Sequence, residues 1–259
     1  MLEITPVSAF EDNYIWMLKN PGSSQAVAVD PGDETPVLAW LERTSSQLSA
    51  ILVTHHHYDH VGGIPALRDA FADIPVYGPA KESIRGITHP LREGDKPVVS
   101  GLKADLRVLE VPGHTAGHIA YYGEGILLCG DTLFAGGCGR VFDGTFEQLS
   151  VSLQRIAQLS PETRLYCAHE YTLDNLGFAG WVEPESSVLE QRIETERERR
   201  RIGQPTLPSL LRDELLTNPF LRTREPGVVS AAQRASGQAL NAPDEVFTAL
   251  RQWKDSKYD

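Results

Sequence analysis

The chain has 259 residues, 41% of them hydrophobic and 23% charged, the profile of a globular protein with room for one large domain or two smaller ones. A formal net charge of −11 argues against a nucleic-acid partner, because phosphate binding needs a basic field. No apolar run approaches the roughly 18 to 20 residues of a membrane span, and the opening segment has neither a basic start nor an apolar core, so no membrane partner and no export are expected.

In chain order, short β-rich segments at residues 14–18, 26–29 and 50–54 alternate with helical patterns at 34–43 and 64–71. Further strands are expected at 106–111, 125–129 and 165–167, with a helix at 146–159. This makes the first two thirds a mixed α/β region. Beyond residue 170 the strand pattern stops. A charged helix over 186–202 should end at Gly203 and Pro205, and a second over 208–216 at Asn218-Pro219. Ser230 with Gln233 reads as a capping box, and Asn241 precedes a last helix whose Val246, Leu250 and Trp253 should face the core. The expected division is residues 1–170 as a mixed α/β domain and 171–259 as a helical domain.

Only three cysteines occur, Cys129, Cys138 and Cys167, with no CxxC pair. Neither a disulfide framework nor a thiolate zinc site is indicated, and a reducing cytoplasm is the expected compartment. Chemistry concentrates elsewhere. Thr54-His55-His56-His57-Tyr58-Asp59-His60 follows the apolar strand Ile51-Leu52-Val53 and puts five potential metal ligands within six residues. Neutral imidazole and carboxylate suit zinc, iron and manganese. Three more candidates, His114, Asp131 and His169, each lie just past the C-terminal end of an apolar strand, where side chains from neighbouring strands converge. Five histidines and two aspartates suffice for two metal ions.

Blander readings stand beside these. A lone histidine such as His89 is more often structural than a ligand. His56 alternates with two candidate ligands and should point away, and His118 fits a supporting hydrogen bond. Gly130-Asp131-Thr132 is also a turn signature, so Asp131 could cap a helix. The run Arg197-Glu198-Arg199-Arg200-Arg201 reads as a solvated helix face laced by i,i+4 pairs. Cys138 has no base placed beside it by sequence, which leaves it without a nucleophilic role.

The segment Thr54 to His60 resembles the THxHxDH signature of the metallo-β-lactamase superfamily. The resemblance implies an αββα sandwich within the α/β (α+β) class. It also implies one metal on His55, His57 and His114, a second on Asp59, His60 and His169, and Asp131 bridging both. Gly113-His114-Thr115-Ala116-Gly117-His118, Gly130-Asp131-Thr132-Leu133-Phe134, Gly136-Gly137-Cys138-Gly139-Arg140, His169-Glu170-Tyr171-Thr172 and Asn218-Pro219-Phe220-Leu221-Arg222 extend the likeness nearly end to end. Together they resemble the glyoxalase II family, the hydroxyacylglutathione hydrolases, which adds a C-terminal all-helical domain to the sandwich.

That family implies two divalent metal ions per chain, zinc first with iron or manganese possible. It implies hydrolysis of S-(2-hydroxyacyl)glutathione in methylglyoxal detoxification, with Asp59 and Asp131 as the catalytic carboxylates. Glutathione would be held by Arg140, Tyr171, Arg251 and Lys254. Phe142 stands where the family more often has tyrosine. The expected partner is therefore a small-molecule glutathione thioester substrate, and the chain is expected to be a monomer. The rivals are a single-iron glutathione persulfide dioxygenase of the same fold and a non-catalytic metal-binding module. Asn218-Pro219-Phe220 with Arg251 and Lys254 favours the hydrolase.

Overall fold

A computed structural model describes residues 2–258. They divide into two compact units: one of the described residues up to Glu110 with Thr115–Gly130, the other of Val111–His114 with the described residues from Asp131 onward.

The first unit contains a six-stranded mixed sheet in chain order. Strands β1 (Glu3–Ala9), β2 (Asn13–Lys19) and β3 (Gln25–Val29) run antiparallel; β4 (Gln47–Leu52), β5 (Val76–Pro79) and β6 (His89–Leu91) continue parallel to β3. Parallel neighbours need crossover connections, and helices supply the first two of the three. Helix α1 (Glu34–Arg43) joins β3 to β4; α2 (Tyr58–Val61) and α3 (Ile64–Ala70) lie between β4 and β5. Asp33 caps α1 by accepting from Thr35 N at 2.8 Å. Val37, Trp40 and Leu41, at helical spacing, bury against Ile15, Met17, Ile51, Val53, Ile64 and Leu67.

A separate antiparallel meander, β7 (Arg107–Glu110), β8 (Ile119–Gly123) and β9 (Ile126–Gly130), completes this unit. The β8–β9 turn places Glu124 at φ 51° and Gly125 at φ 73°, the left-handed pair a two-residue hairpin requires.

The second unit is helical apart from two short strand pairs. Strands β10 (Leu133–Phe134) and β11 (Gly137–Cys138) form a hairpin; β12 (Arg164–Cys167) pairs with β13 (Ser209–Leu210). The helices are α4 (Phe146–Ile156), α5 (Thr172–Val182), α6 (Ser187–Arg201), α7 (Leu211–Thr217), α8 (Pro226–Ser236) and α9 (Pro243–Trp253). A 3₁₀ turn, Pro219–Leu221, follows α7, and a π turn, Lys254–Tyr258, follows α9. Helix α4 opens on a capping box, Thr145 with Gln148, and α9 is started by Glu245 accepting from Asn241 N and Ala242 N.

Several expectations shift. Strands β1, β5, β6 and β8 escape the sequence pattern; β1 carries Pro6, which lacks a donor and is tolerated because the strand lies at a sheet edge. The segment expected as a helix from residue 208 first forms β13 and turns helical at Leu211. Ser230 caps nothing, because α8 starts four residues earlier with Pro226 at its first position and Glu225 before it. Val246 and Leu250 are buried as expected, whereas Trp253 is half-buried against Phe178 and Trp181.

Candidate metal centre

In the first unit, β4 ends at Leu52 and the chain passes through Thr54 into the histidine segment. Asp30 sits just past β3 in a left-handed conformation and is 5% exposed. Its carboxylate accepts from Thr54 N at 2.7 Å and Thr54 Oγ1 at 2.8 Å, and it faces His60 Nδ1 at 3.1 Å. One buried carboxylate thus ties down the start of the segment and places a negative charge beside the His60 ring. Thr54 Oγ1 lies 3.1 Å from His55 Nδ1, which leaves His55 Nε2 to meet His57 Nδ1 at 3.1 Å.

Asn13 Nδ2 donates to Asp59 Oδ2 at 2.9 Å, and the same oxygen stands 3.4 Å from His60 Nε2. Gly32 permits this packing, since a Cβ there would fall 1.9 Å from the Asp59 carbonyl oxygen. His56 turns away as expected and pairs with Glu82 at 3.0 Å. His118 is buried and stacked on His55, with ring centroids 4.6 Å apart.

In the second unit, Asp131 Oδ2 faces His169 Nε2 at 3.3 Å and His114 Nε2 at 3.6 Å. His114 Nδ1 donates to the Arg140 carbonyl at 2.7 Å, so its proton is on Nδ1 and Nε2 is the ring atom that would ligate a metal. His169 stacks on Tyr171 at 4.7 Å and 5°, with Phe134 edge-on to both rings. Phe142 stands edge-on to His114 at 5.2 Å and is 64% exposed.

The four donor spacings given above, 3.1, 3.4, 3.3 and 3.6 Å, test whether these residues suit a metal. Two ligand atoms each about 2.0–2.1 Å from one tetrahedral ion stand about 3.3–3.4 Å apart. Spacings of 3.3–3.6 Å are long for charge-assisted hydrogen bonds, which run about 2.7–2.9 Å. All seven residues also fall into groups of histidine and carboxylate ligands of the size a metal ion takes. The donor set suits a divalent metal.

The expected substrate residues are all placed in the second unit. Arg140 is exposed, with Nε 3.9 Å from Asp255. Arg251 is 1% exposed and spent internally: NH1 donates to the Cys138 carbonyl at 3.0 Å, and Nε and NH2 to Asp255 Oδ1 at 3.0 and 2.7 Å. Lys254 is buried, its Nζ 3.4 Å from Asp174 and 5.5 Å above the Tyr258 ring. Burial pushes the Cys138 thiol up to about 11, against the opposing pull of Arg251, and the Cys167 thiol to about 12. Neither is a thiolate nucleophile at neutral pH. In the charged run, Arg201 pairs with Glu198 and Arg199 with Glu196 along the helix, while Arg200 reaches Glu170 at 3.5 Å.

Asp30 and Asn13 escape the sequence reading. The one available signal was the polar Asp30-Pro31-Gly32 turn at a strand end.

The metallo-β-lactamase superfamily profile matches residues 14–169, and the hydroxyacylglutathione hydrolase C-terminus profile matches residues 170–257. The structure of BLEG-1, a B3 metallo-β-lactamase, aligns with a TM-score of 0.61 at 26% identity, over 85% of this chain and 99% of its own. The fold is that of the metallo-β-lactamase superfamily. A hydroxyacylglutathione hydrolase of Nitrosomonas eutropha is 52% identical over 99% of both chains, and one of Alkalilimnicola ehrlichii is 54% identical over 98% of this chain and 99% of its own. The chain belongs to the hydroxyacylglutathione hydrolase family.

Proposed function

We propose that this protein hydrolyses S-(2-hydroxyacyl)glutathione thioesters, typically S-D-lactoylglutathione, to a 2-hydroxy acid and glutathione at a centre of two divalent metal ions. His55, His57 and His114 would hold one ion, Asp59, His60 and His169 the other, and Asp131 both; zinc is the first choice, with iron or manganese also suited to these ligands. The observation that carries this reading is the pairing of donor spacings suited to one ion with an end-to-end likeness of about 50% identity to hydroxyacylglutathione hydrolases.

Divalent cations, when bound, supply Lewis acidity, which makes hydroxide available near neutral pH and polarises an acyl oxygen. The chain's own residues do the rest. The Asp59 side chain is 37% exposed, and Asn13 holds one of its oxygens. The other oxygen can accept a hydrogen bond from the attacking water and orient it. The Arg140 carbonyl keeps His114 in the tautomer whose Nε2 would ligate, and the Asp30 carboxylate stands against His60 Nδ1. Water adds to the thioester carbon and releases its proton to solvent, the C–S bond breaks, and the sulfur leaves as glutathione thiolate, which needs no strong separate acid.

Glutathione brings two carboxylates. Exposed Arg140 is the cation assigned to one of them, with Tyr171 and Phe142 as flanking rings and Lys254 and Arg251 behind. We assign 1–170 to catalysis and 171–259 to substrate binding. A reducing cytoplasm fits three free thiols, and among the described residues no helix is long and apolar enough to cross a membrane.

The test is thioester hydrolysis by purified protein, followed at the thioester absorbance, beside elemental analysis. Two ions per chain and chelator-sensitive turnover are expected. Full activity at one ion, or oxygen uptake on a glutathione persulfide in place of hydrolysis, would overturn the reading.

A further inference from the structure

The segment between Asp131 and Arg140 has few side chains to hold it: Gly136, Gly137 and Gly139 leave a hairpin whose paired strands are two residues each. Five consecutive residues are instead gripped through their backbones by side chains of the helical tail. Asn218 Nδ2 donates to the Phe134 and Gly137 carbonyls at 3.3 and 2.9 Å. Asn175 Nδ2 donates to the Ala135 carbonyl at 3.2 Å. Gly136 N donates to Glu214 Oε2 at 2.7 Å, and Arg251 NH1 donates to the Cys138 carbonyl at 3.0 Å. All four side chains are buried, Asn218 and Glu214 completely. Glu214 is itself fixed by Arg192, which also donates to Thr217. The glycines make the approach possible: a Cβ on Gly137 would fall 2.5 Å from Asn175 Oδ1.

What this hairpin carries at its two ends gives the grip a consequence. Asp131 stands at one end. At the other, the Arg140 carbonyl sets the His114 tautomer, and the Arg140 side chain is the exposed cation. Gly139 closes the loop so tightly that a Cβ there would lie 2.0 Å from the Asp131 carbonyl oxygen and 2.9 Å from His114 Nδ1. A shift of the hairpin moves both proposed metal ligands and the substrate cation together.

Resting on the metallohydrolase reading, we infer that the buried Asn175, Glu214, Asn218 and Arg251 side chains form a polar clamp whose function is to position Asp131, His114 and Arg140. Asn218, Asn175 and Glu214 are positioning residues, and this accounts for the Asn218-Pro219-Phe220 segment, which the substrate-binding role leaves unexplained. A buried backbone carbonyl must find a donor, so losing an amide either strands it or moves the strand toward another partner.

The test uses metal-loaded full-length protein. Asn218→Ser keeps an acceptor for Phe220 N and removes both donations to the hairpin. Asn175→Ser removes one donation and decides the matter should the first variant fail to fold. Arg222→Leu breaks the Arg222–Glu183 pair of the same tail and controls for lost stability alone. Two quantities are read below each variant's melting temperature: kcat per folded, metal-loaded chain, and metal retention against a competing chelator. Asn218→Ser is expected to lower kcat and weaken retention by about tenfold or more, and Asn175→Ser to do both to a smaller degree. Arg222→Leu should lower only the melting temperature. Wild-type kcat and retention in folded Asn218→Ser and Asn175→Ser would overturn the clamp while leaving the hydrolase reading intact. A wild-type protein inactive on thioesters would overturn that reading, and retention alone would still decide the clamp.

Discussion

The two donor groups are assembled on opposite plans. His55, His57, Asp59 and His60 come from one turn of chain at the end of a parallel strand, and their orientation is fixed by Asp30 and Asn13, side chains of the same sheet region. His114, Asp131 and His169 come from three separate segments, and the hairpin beside them is fixed by helices that contribute no proposed ligand of their own. The first group rests on side chains of the sheet region. The second, on the clamp inferred above, depends on the tail, which would give the helical region a role beyond the proposed substrate binding.

The sharpest test of this contrast is Asp131→Ala. A carboxylate facing two imidazoles at 3.3 and 3.6 Å should, when removed, release metal and reduce turnover well beyond the about 10- to 100-fold that outer partners of ligands carry. Elemental analysis and kcat on the same preparation check it, and near-normal metal content would show that another group bridges. Next in size is Asp30→Asn, which keeps the shape and removes the charge behind His60. About 10- to 100-fold weaker metal retention is expected, with little change in KM. If the first group were held by its own turn alone, this variant would behave as wild type.

Arg251→Ala should separate structure from binding. It leaves the Cys138 carbonyl without its buried donor, so a loss of about 1–3 kcal/mol is expected from thermal or urea unfolding. A rise in KM should accompany it. Lys254→Ala makes a smaller change, raising KM for the glutathione thioester by up to about tenfold while kcat and metal content stay near wild type. His56→Ala should do least of all, since that ring pairs with Glu82 and is half exposed.

The same contrast explains what could be read in advance. The segment 54–60 was legible because its ligands alternate within one turn and leave an apolar strand. His114, Asp131 and His169 were legible as strand-end residues, and the family resemblance put them in order. Their supports were not. Asp30 acts on a residue 24 positions away, Asn13 on one 46 away and Glu214 on one 78 away, separations over which no local pattern carries information. Arg251 was legible as a cation of the last helix, yet its burial and its bond to Cys138 follow only from packing. Strand β1 was hidden by Pro6, and the Ser230 cap was displaced because proline at the first helical position outweighs a serine in the second turn.

The raised thiols of Cys138 and Cys167 bear on how this protein survives its own chemistry. Its proposed product is a free thiol, and its proposed substrates derive from an electrophilic carbonyl compound. A thiol whose pKa is about 11 is ionised at pH 7 to only about one part in ten thousand, and thiolate is the form that attacks disulfides and electrophiles. Cys129, Cys138 and Cys167 are also all buried, so neither mixed disulfides with glutathione nor carbonyl adducts can form without unfolding. The native protein should therefore resist alkylating reagents and oxidised glutathione without added reductant, and take up three equivalents of label only once denatured.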